Sequence, residues 1–177
     1  MLAPLRLCDG AALAFDIPQA EAHAHGALRR IGWLNLALGC FVDRTRLVEG
    51  SVGRWVQFRN HHVNGDAYGG LIGNAVGFAR YLQALWVGDI LLPAARDSLF
   101  DAVPAPGPPR SLGWFMGRLG EEPWFAHAGG GAGYYCEIRV YPRTRNASVV
   151  MLNRAGIRDE HLLDRLDHFF VTRRHRT

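Results

Sequence analysis

The chain has 177 residues, 49% of them apolar and 20% charged, a size and balance that fit one globular domain and exclude a disordered or fibrous chain. No apolar run approaches the roughly 18–20 residues that a membrane span needs, and Met1-Leu2-Ala3-Pro4-Leu5-Arg6 is not the start of a secretory signal. The formal charge is +4, and every one of the 20 basic residues is arginine, so lysine is absent as a base, a Schiff-base former or a phosphate ligand.

The arginines are scattered, apart from Arg173-Arg174-His175-Arg176, and no aromatic platform accompanies them, so no nucleic-acid partner is expected. That terminal cluster reads as the cationic end of a helix. Cys8, Cys40 and Cys136 are too far apart for a Cys-x-x-Cys site and too few for a disulfide framework, and they read as small buried apolar residues.

In chain order, Leu13, Phe15 and Ile17 alternate as a short strand that Pro18 ends. Residues 21–65 are broken by glycines and read as loop-rich with short elements, among them an alternating run from Gly53 to Phe58. Asn74 is a helix N-cap, and Phe78, Leu82, Leu85 and Trp86 recur at helical spacing up to Gly88. Pro93 opens a second helix through Phe100, and Pro104 to Pro109 form a loop.

The pattern then turns to period two. Strands are expected over 112–119, 124–128, 134–141 and 147–152, with turns at Gly120 to Pro123, at the glycines of 129–133, and at Pro142 to Asn146. In the third strand Cys136, Ile138 and Val140 are expected to face the core, leaving Tyr135, Glu137, Arg139 and Tyr141 on a polar or aromatic face. The fourth, apolar throughout, is expected in a sheet interior. Leu162, Leu163, Leu166, Phe169 and Phe170 define the stripe of a final amphipathic helix, with His161 and His168 on its solvated side. The result is an α+β domain in three stretches: 1–64 loop-rich, 65–110 helical, and 111–177 antiparallel strands plus a C-terminal helix.

Over about residues 65–172, five pieces occur in a characteristic order. They are Gly69-Gly70-Leu71 before a helix with Ala79-Arg80-Tyr81-Leu82; a Leu92-Pro93 helix; Gly113-Trp114; His127-Ala128-Gly129-Gly130-Gly131-Ala132-Gly133; and Arg139-Val140-Tyr141-Pro142 followed by Val149 to Asn153. The succession resembles the C-terminal part of the serine β-lactamase and penicillin-binding-protein-like hydrolases, the class C-related group that includes esterases and D-amino-acid peptidases. The resemblance implies a β-lactamase/transpeptidase-like fold, an antiparallel sheet with flanking helices. It implies acyl transfer on a small-molecule or peptide acyl substrate without a cofactor. Family members are often exported.

In that family a Ser-x-x-Lys serine attacks a carbonyl, a Tyr-x-Asn tyrosine helps move its proton, and a third motif, Lys-Thr-Gly or His-x-Gly, lines the other wall of the cleft. By resemblance His127 is the basic residue of the third motif, Gly129 its glycine, and the Gly130 N–H faces the developing oxyanion. The first two motifs are missing. Ser51, Ser98, Ser111 and Ser148 are followed three residues on by Arg54, Asp101, Trp114 and Met151, and none of the five tyrosines begins Tyr-x-Asn. The chain is therefore expected to be a C-terminal fragment of a serine hydrolase, inactive alone, with the nucleophile on a missing N-terminal segment or, as an alternative, on a separate complementing chain. Losing a partner that covers on the order of 1,000 Å² of apolar surface forgoes roughly 25 kcal/mol of burial. The isolated chain is accordingly expected to associate.

Two other readings stand beside this one. A binding or regulatory relative would keep the cleft without turnover. A metal-dependent hydrolase would use His23 and His25, with His61 and His62 or Asp16, Asp43 and Asp66 as further ligands, although no ligand spacing supports that set. In isolation, His127 entering a glycine-rich turn could also simply cap a strand.

Overall fold

A computed structural model describes residues 13–14, 24–41, 43–59, 71–87, 90–104, 106–131, 133–156 and 162–171. Helices and antiparallel sheets are both present, so the domain is α+β.

The sheet that carries the fold is a five-stranded meander. Its strands are β6 (Arg110–Ser111), β7 (Trp114–Leu119), β8 (Glu122–Gly131), β9 (Tyr134–Tyr141) and β10 (Asn146–Leu152), paired in the order β10-β9-β8-β7-β6. Short connections force antiparallel neighbours, and the turn glycines Gly113 and Gly120 take φ of 79° and 62°, where a Cβ would be strained. Gly117 pairs with Trp124, whose indole fills the space that a side chain at 117 would need.

Helices cover both faces. α3 (Ala75–Val87) and α4 (Pro93–Phe100) bury Leu82, Leu85 and Phe100 against Trp114 and Val140, with Ile138 and Val149 packed alongside. Asn74 caps α3 as expected, its Oδ1 accepting from Gly77 N–H at 2.9 Å, and Pro93 stands at the start of α4, where no intrahelical N–H bond is lost. On the other face α5 (Leu162–Val171) sits with Val171 against Trp124, Ala126 and Tyr141.

That second layer changes two expectations. On β9 both faces are covered: Val140 is buried towards α3 as expected, with Cys136 and Ile138 half-buried, but Tyr135, Glu137, Arg139 and Tyr141 on the polar and aromatic face are buried too. The reason is α5, whose Asp164 and Asp167 accept from Arg139 and from the Tyr141 hydroxyl, so charge is buried with partners. The expected stripe of α5 is likewise displaced. Leu163, Asp167 and Val171, four residues apart in turn, face the sheet, while Leu166, Phe169 and Phe170 are exposed.

β10 lies at a sheet edge and not in the interior. Its apolar run from Val149 to Leu152 follows from contact with α3 on one face and α5 on the other. The glycines expected in the turn are largely strand: Gly129, Gly130 and Gly131 all pair with β9.

Residues 24–41 and 43–59 are more ordered than their sequence suggests. β2 (Ala27–Arg29), β3 (Val48–Val52) and β4 (Trp55–Phe58) form a three-stranded antiparallel sheet in the order β2-β4-β3. Between β2 and β3 lie α1 (Trp33–Phe41) and the single turn α2 (Arg44–Leu47). β1 (Leu13–Ala14) pairs with β5 (Ile72–Gly73). Of the strand expected at Leu13, Phe15 and Ile17, only Leu13 and Ala14 are among the described residues, as are neither Cys8 nor His161. No helix among the described residues is long and apolar enough to cross a membrane.

Candidate functional site

β8 is longer than the strand beside it, and that difference makes an open edge. Its ladder with β7 ends at Phe115↔Ala126, while its ladder with β9 continues from Phe125↔Val140 to Gly131↔Tyr134. From His127 to Gly131 the strand is thus paired on the β9 side only, among the described residues. Backbone N–H and C=O groups on alternate residues of such an edge point outward, ready for a bound chain or carbonyl.

The residues along this edge suit close approach. His127 is exposed, with its ring 6.4 Å from that of Phe115. Strand alternation turns His127, Gly129 and Gly131 to the face of α3, and a Cβ at Gly129 or Gly131 would meet nothing within 4 Å. Gly130 faces the other way, towards the Tyr135 ring. Three glycines in succession therefore present bare backbone to solvent.

Gly133 fixes where the edge ends. It closes the β8–β9 hairpin at φ 87°, and a Cβ there would lie 2.6 Å from Ala27 N and 2.7 Å from the Phe58 ring. This close approach lets Ala27 N–H donate to the Gly133 carbonyl at 3.0 Å. Tyr134 Oη donates to the Ala24 carbonyl at 2.9 Å, and Asn153 Nδ2 to the His25 carbonyl at 3.2 Å. The three-stranded sheet is thereby clamped to the end of the open edge.

His25, expected as one member of a metal set, has protein partners instead. Its Nδ1 lies 2.6 Å from Glu49 Oε2 and 3.2 Å from the Phe58 carbonyl. Two acceptors at one nitrogen place a proton on Nδ1 and fix the orientation of the ring. Nothing in the sequence pointed to Glu49; the pairing of β2 and β3 on either side of β4 brings it beside His25. Asp43 accepts from Thr45 N–H at 3.0 Å as the cap of α2. His23, His61, His62, Asp16 and Asp66 lie outside the described residues. Among those described, no three His, Cys, Asp or Glu side chains converge as a metal set.

Cys136 pairs with Gly129 beneath the edge, and burial, then the neighbouring Glu137 carboxylate, push its thiol up to about 11. A thiol held in that state is no nucleophile at neutral pH. Of the serines, Ser111 is buried in β6, Ser148 is half-buried in β10, and Ser51 and Ser98 are exposed.

The antiparallel meander thus has helices on both faces and one inner strand that runs past its neighbour and exposes a histidine and bare glycine backbone. A family model described as Beta-lactamase matches residues 13–171, and the chain belongs to that family. It is a hydrolase-type family of serine acyl transfer. No curated protein and no solved structure matches the chain.

Proposed function

We propose that the open edge of β8 is one wall of an acyl-transfer cleft, with His127 as the basic group of the third motif and Gly129 as its glycine. The Gly130 N–H is the donor to the oxyanion. The observation that carries this reading is the stretch from His127 to Gly131, which β7 leaves unpaired and which bears no side chain beyond Ala128. The substrate is an ester, a β-lactam or a D-amino-acid peptide lying along that edge.

The chain has no lysine and hence no Ser-x-x-Lys, so the attacking serine belongs to a complementing segment. When its Oγ adds to the carbonyl, the carbonyl oxygen gains charge, and a fixed backbone N–H stabilises it more than it stabilises the ground state. One such donor lowers the barrier by about 2.7–4 kcal/mol. Alone, the chain binds acyl ligands without turning them over.

The test has two arms. Adding an acyl-D-alanine peptide or a β-lactam to the ¹⁵N-labelled chain should shift the amide resonances of residues 127–131. Mixing the chain with a segment carrying Ser-x-x-Lys and Tyr-x-Asn should produce ester hydrolysis that neither part shows by itself. Binding without rescued turnover would favour the regulatory relative, and resonances unmoved by every acyl ligand would remove the cleft reading altogether.

A further inference from the structure

α1 turns large apolar side chains to solvent. Its polar residue Asn35 is buried, at 7% exposure, whereas Trp33, Leu36 and Phe41 are 75%, 74% and 87% exposed and Ile31, just before the helix, is 92% exposed. Hydrogen bonds hold Asn35 inward. Asn35 Nδ2 donates to the Arg30 carbonyl at 2.6 Å, and Arg44 Nη2 donates to Asn35 Oδ1 at 3.1 Å. With Asn35 pinned inward, Trp33, Leu36 and Cys40 fall on one outward row at helical spacing, and Phe41 sits beside them. Four large side chains exposed to this degree form an apolar surface on the order of 500 Å², the size that marks an interaction site.

The surroundings of this surface are cationic. Arg29 and Arg30 precede it and Arg44 and Arg46 follow it, all exposed, and Arg30 N–H donates to the Arg54 carbonyl, which brings a further arginine to the same end. Residues 24–59 contain six arginines and two carboxylates. Both carboxylates are engaged, Asp43 with Thr45 and Arg46, Glu49 with His25.

We propose that α1 and its arginine flanks seat this domain on an anionic lipid surface. The helix, about 14 Å long, lies in the plane of the interface, with Ile31, Trp33, Leu36 and Phe41 entering the boundary between headgroups and acyl chains. The guanidinium groups at its two ends meet lipid phosphates. An apolar face or a basic cluster alone gives marginal attachment, and here the two occur together. A second copy of the chain fits less well. A stable dimer buries about 800 Å² on each partner, more than this surface offers, and a two-fold contact would set the arginines of one copy against those of the other.

Cosedimentation with phosphatidylcholine vesicles, with and without phosphatidylglycerol, tests the proposal on the chain as it stands. The chain should bind the anionic vesicles, bind neutral ones much less, and release as ionic strength rises. Trp33 emission should shift to the blue on binding, and Trp33→Phe should abolish that shift. Leu36→Ser with Phe41→Ser, and separately Arg29→Ser with Arg30→Ser, should each lower partitioning at least about tenfold. These positions are exposed, so the far-ultraviolet circular dichroism of the free variants should match the parent. The proposal is overturned by equal binding to neutral and anionic vesicles, by no binding, or by binding that the Leu36/Phe41 pair leaves intact. It is also overturned by a vesicle-free dimer that the same pair dissociates. No acyl ligand enters these measurements, so their outcome is independent of the role of His127.

Discussion

Arg139 Nη2 lies 3.0 Å from Glu137 Oε1, two residues away on the same face of β9, and neither side chain reaches solvent. The pair does not stand alone. Glu137 Oε2 accepts from the Tyr135 hydroxyl at 3.1 Å and from Leu163 N–H at 3.2 Å, at the start of α5. Arg139 Nη1 reaches Asp164 on the same helix, and the guanidinium lies 4.3 Å from the Trp124 ring centroid. The polar side of β9 is thus the fastening between sheet and C-terminal helix, on the face opposite α3.

Removing one member of that pair strands the other. Arg139→Met should destabilise the domain by about 3–5 kcal/mol, because Glu137 loses its counter-charge in a buried place and half-buried Asp164 loses its partner. The double variant Arg139→Met with Glu137→Leu should lose less than the two single changes added together. Urea unfolding of the four proteins closes the cycle. Strict additivity would mean that the two side chains are energetically independent despite their distance.

The seating of α5 makes a second prediction, since its buried face is not the one its apolar residues mark. Leu163→Ala should lose about 2–5 kcal/mol through the cavity it leaves, whereas Phe170→Ala should stay within about 0.5 kcal/mol. Tyr141→Phe should fall between them. It removes a 2.6 Å hydrogen bond from the Tyr141 hydroxyl to Asp167 and leaves a buried carboxylate short of a donor. Thermal unfolding of the three variants checks the order. A Phe170→Ala variant as unstable as Leu163→Ala would mean that the helix is seated a third of a turn away.

The contrast between those residues shows what the sequence makes legible and what it does not. α3 is readable because its cap at Asn74 and its period through Phe78, Leu82 and Leu85 both come from local interactions. β9 is readable as a strand, but its inner face is not. Glu137 and Arg139 look solvent-bound until Asp164, more than twenty residues later, is known to fold back on them. α1 hides for a related reason: Trp33, Leu36 and Phe41 are exposed while Asn35 is buried, so polarity does not tell core from solvent there. At the candidate site, His127 and its glycines are conspicuous as a run. The open edge itself depends on how early β7 stops pairing, which only the register reveals.

Cys136 provides a pH-dependent prediction. Its thiol is raised from an ordinary 9.0 to about 11 by burial first and by the Glu137 carboxylate second. The native state therefore holds this proton more tightly than the unfolded chain does. The stabilisation is complete below about pH 9 and is lost as the pH climbs towards about 11. Iodoacetamide at pH 8 should accordingly modify the exposed Cys40 well before Cys136, and the two should react alike in denaturant. Peptide mass mapping resolves the sites. Equal native rates would show that β9 opens easily beneath Gly129.

Recognition and scaffold should separate cleanly around the β8–β9 hairpin. His127 is exposed, so His127→Ala should change stability by no more than about 0.5 kcal/mol while weakening binding of an acyl-D-alanine ligand, if the proposed cleft is correct. Gly133→Ala should do the reverse. It forces a Cβ into a backbone at φ 87° and to within 2.6 Å of Ala27 N, which should cost about 3 kcal/mol and loosen the three-stranded sheet from the hairpin. Calorimetry supplies the stabilities, and the amide resonances of residues 127–131 report the ligand. If His127→Ala instead unfolded the domain, the imidazole would be part of the scaffold and not of the cleft. If it left both stability and binding untouched, the open edge would act through its glycine backbone alone, and Gly130 would become the residue to test next.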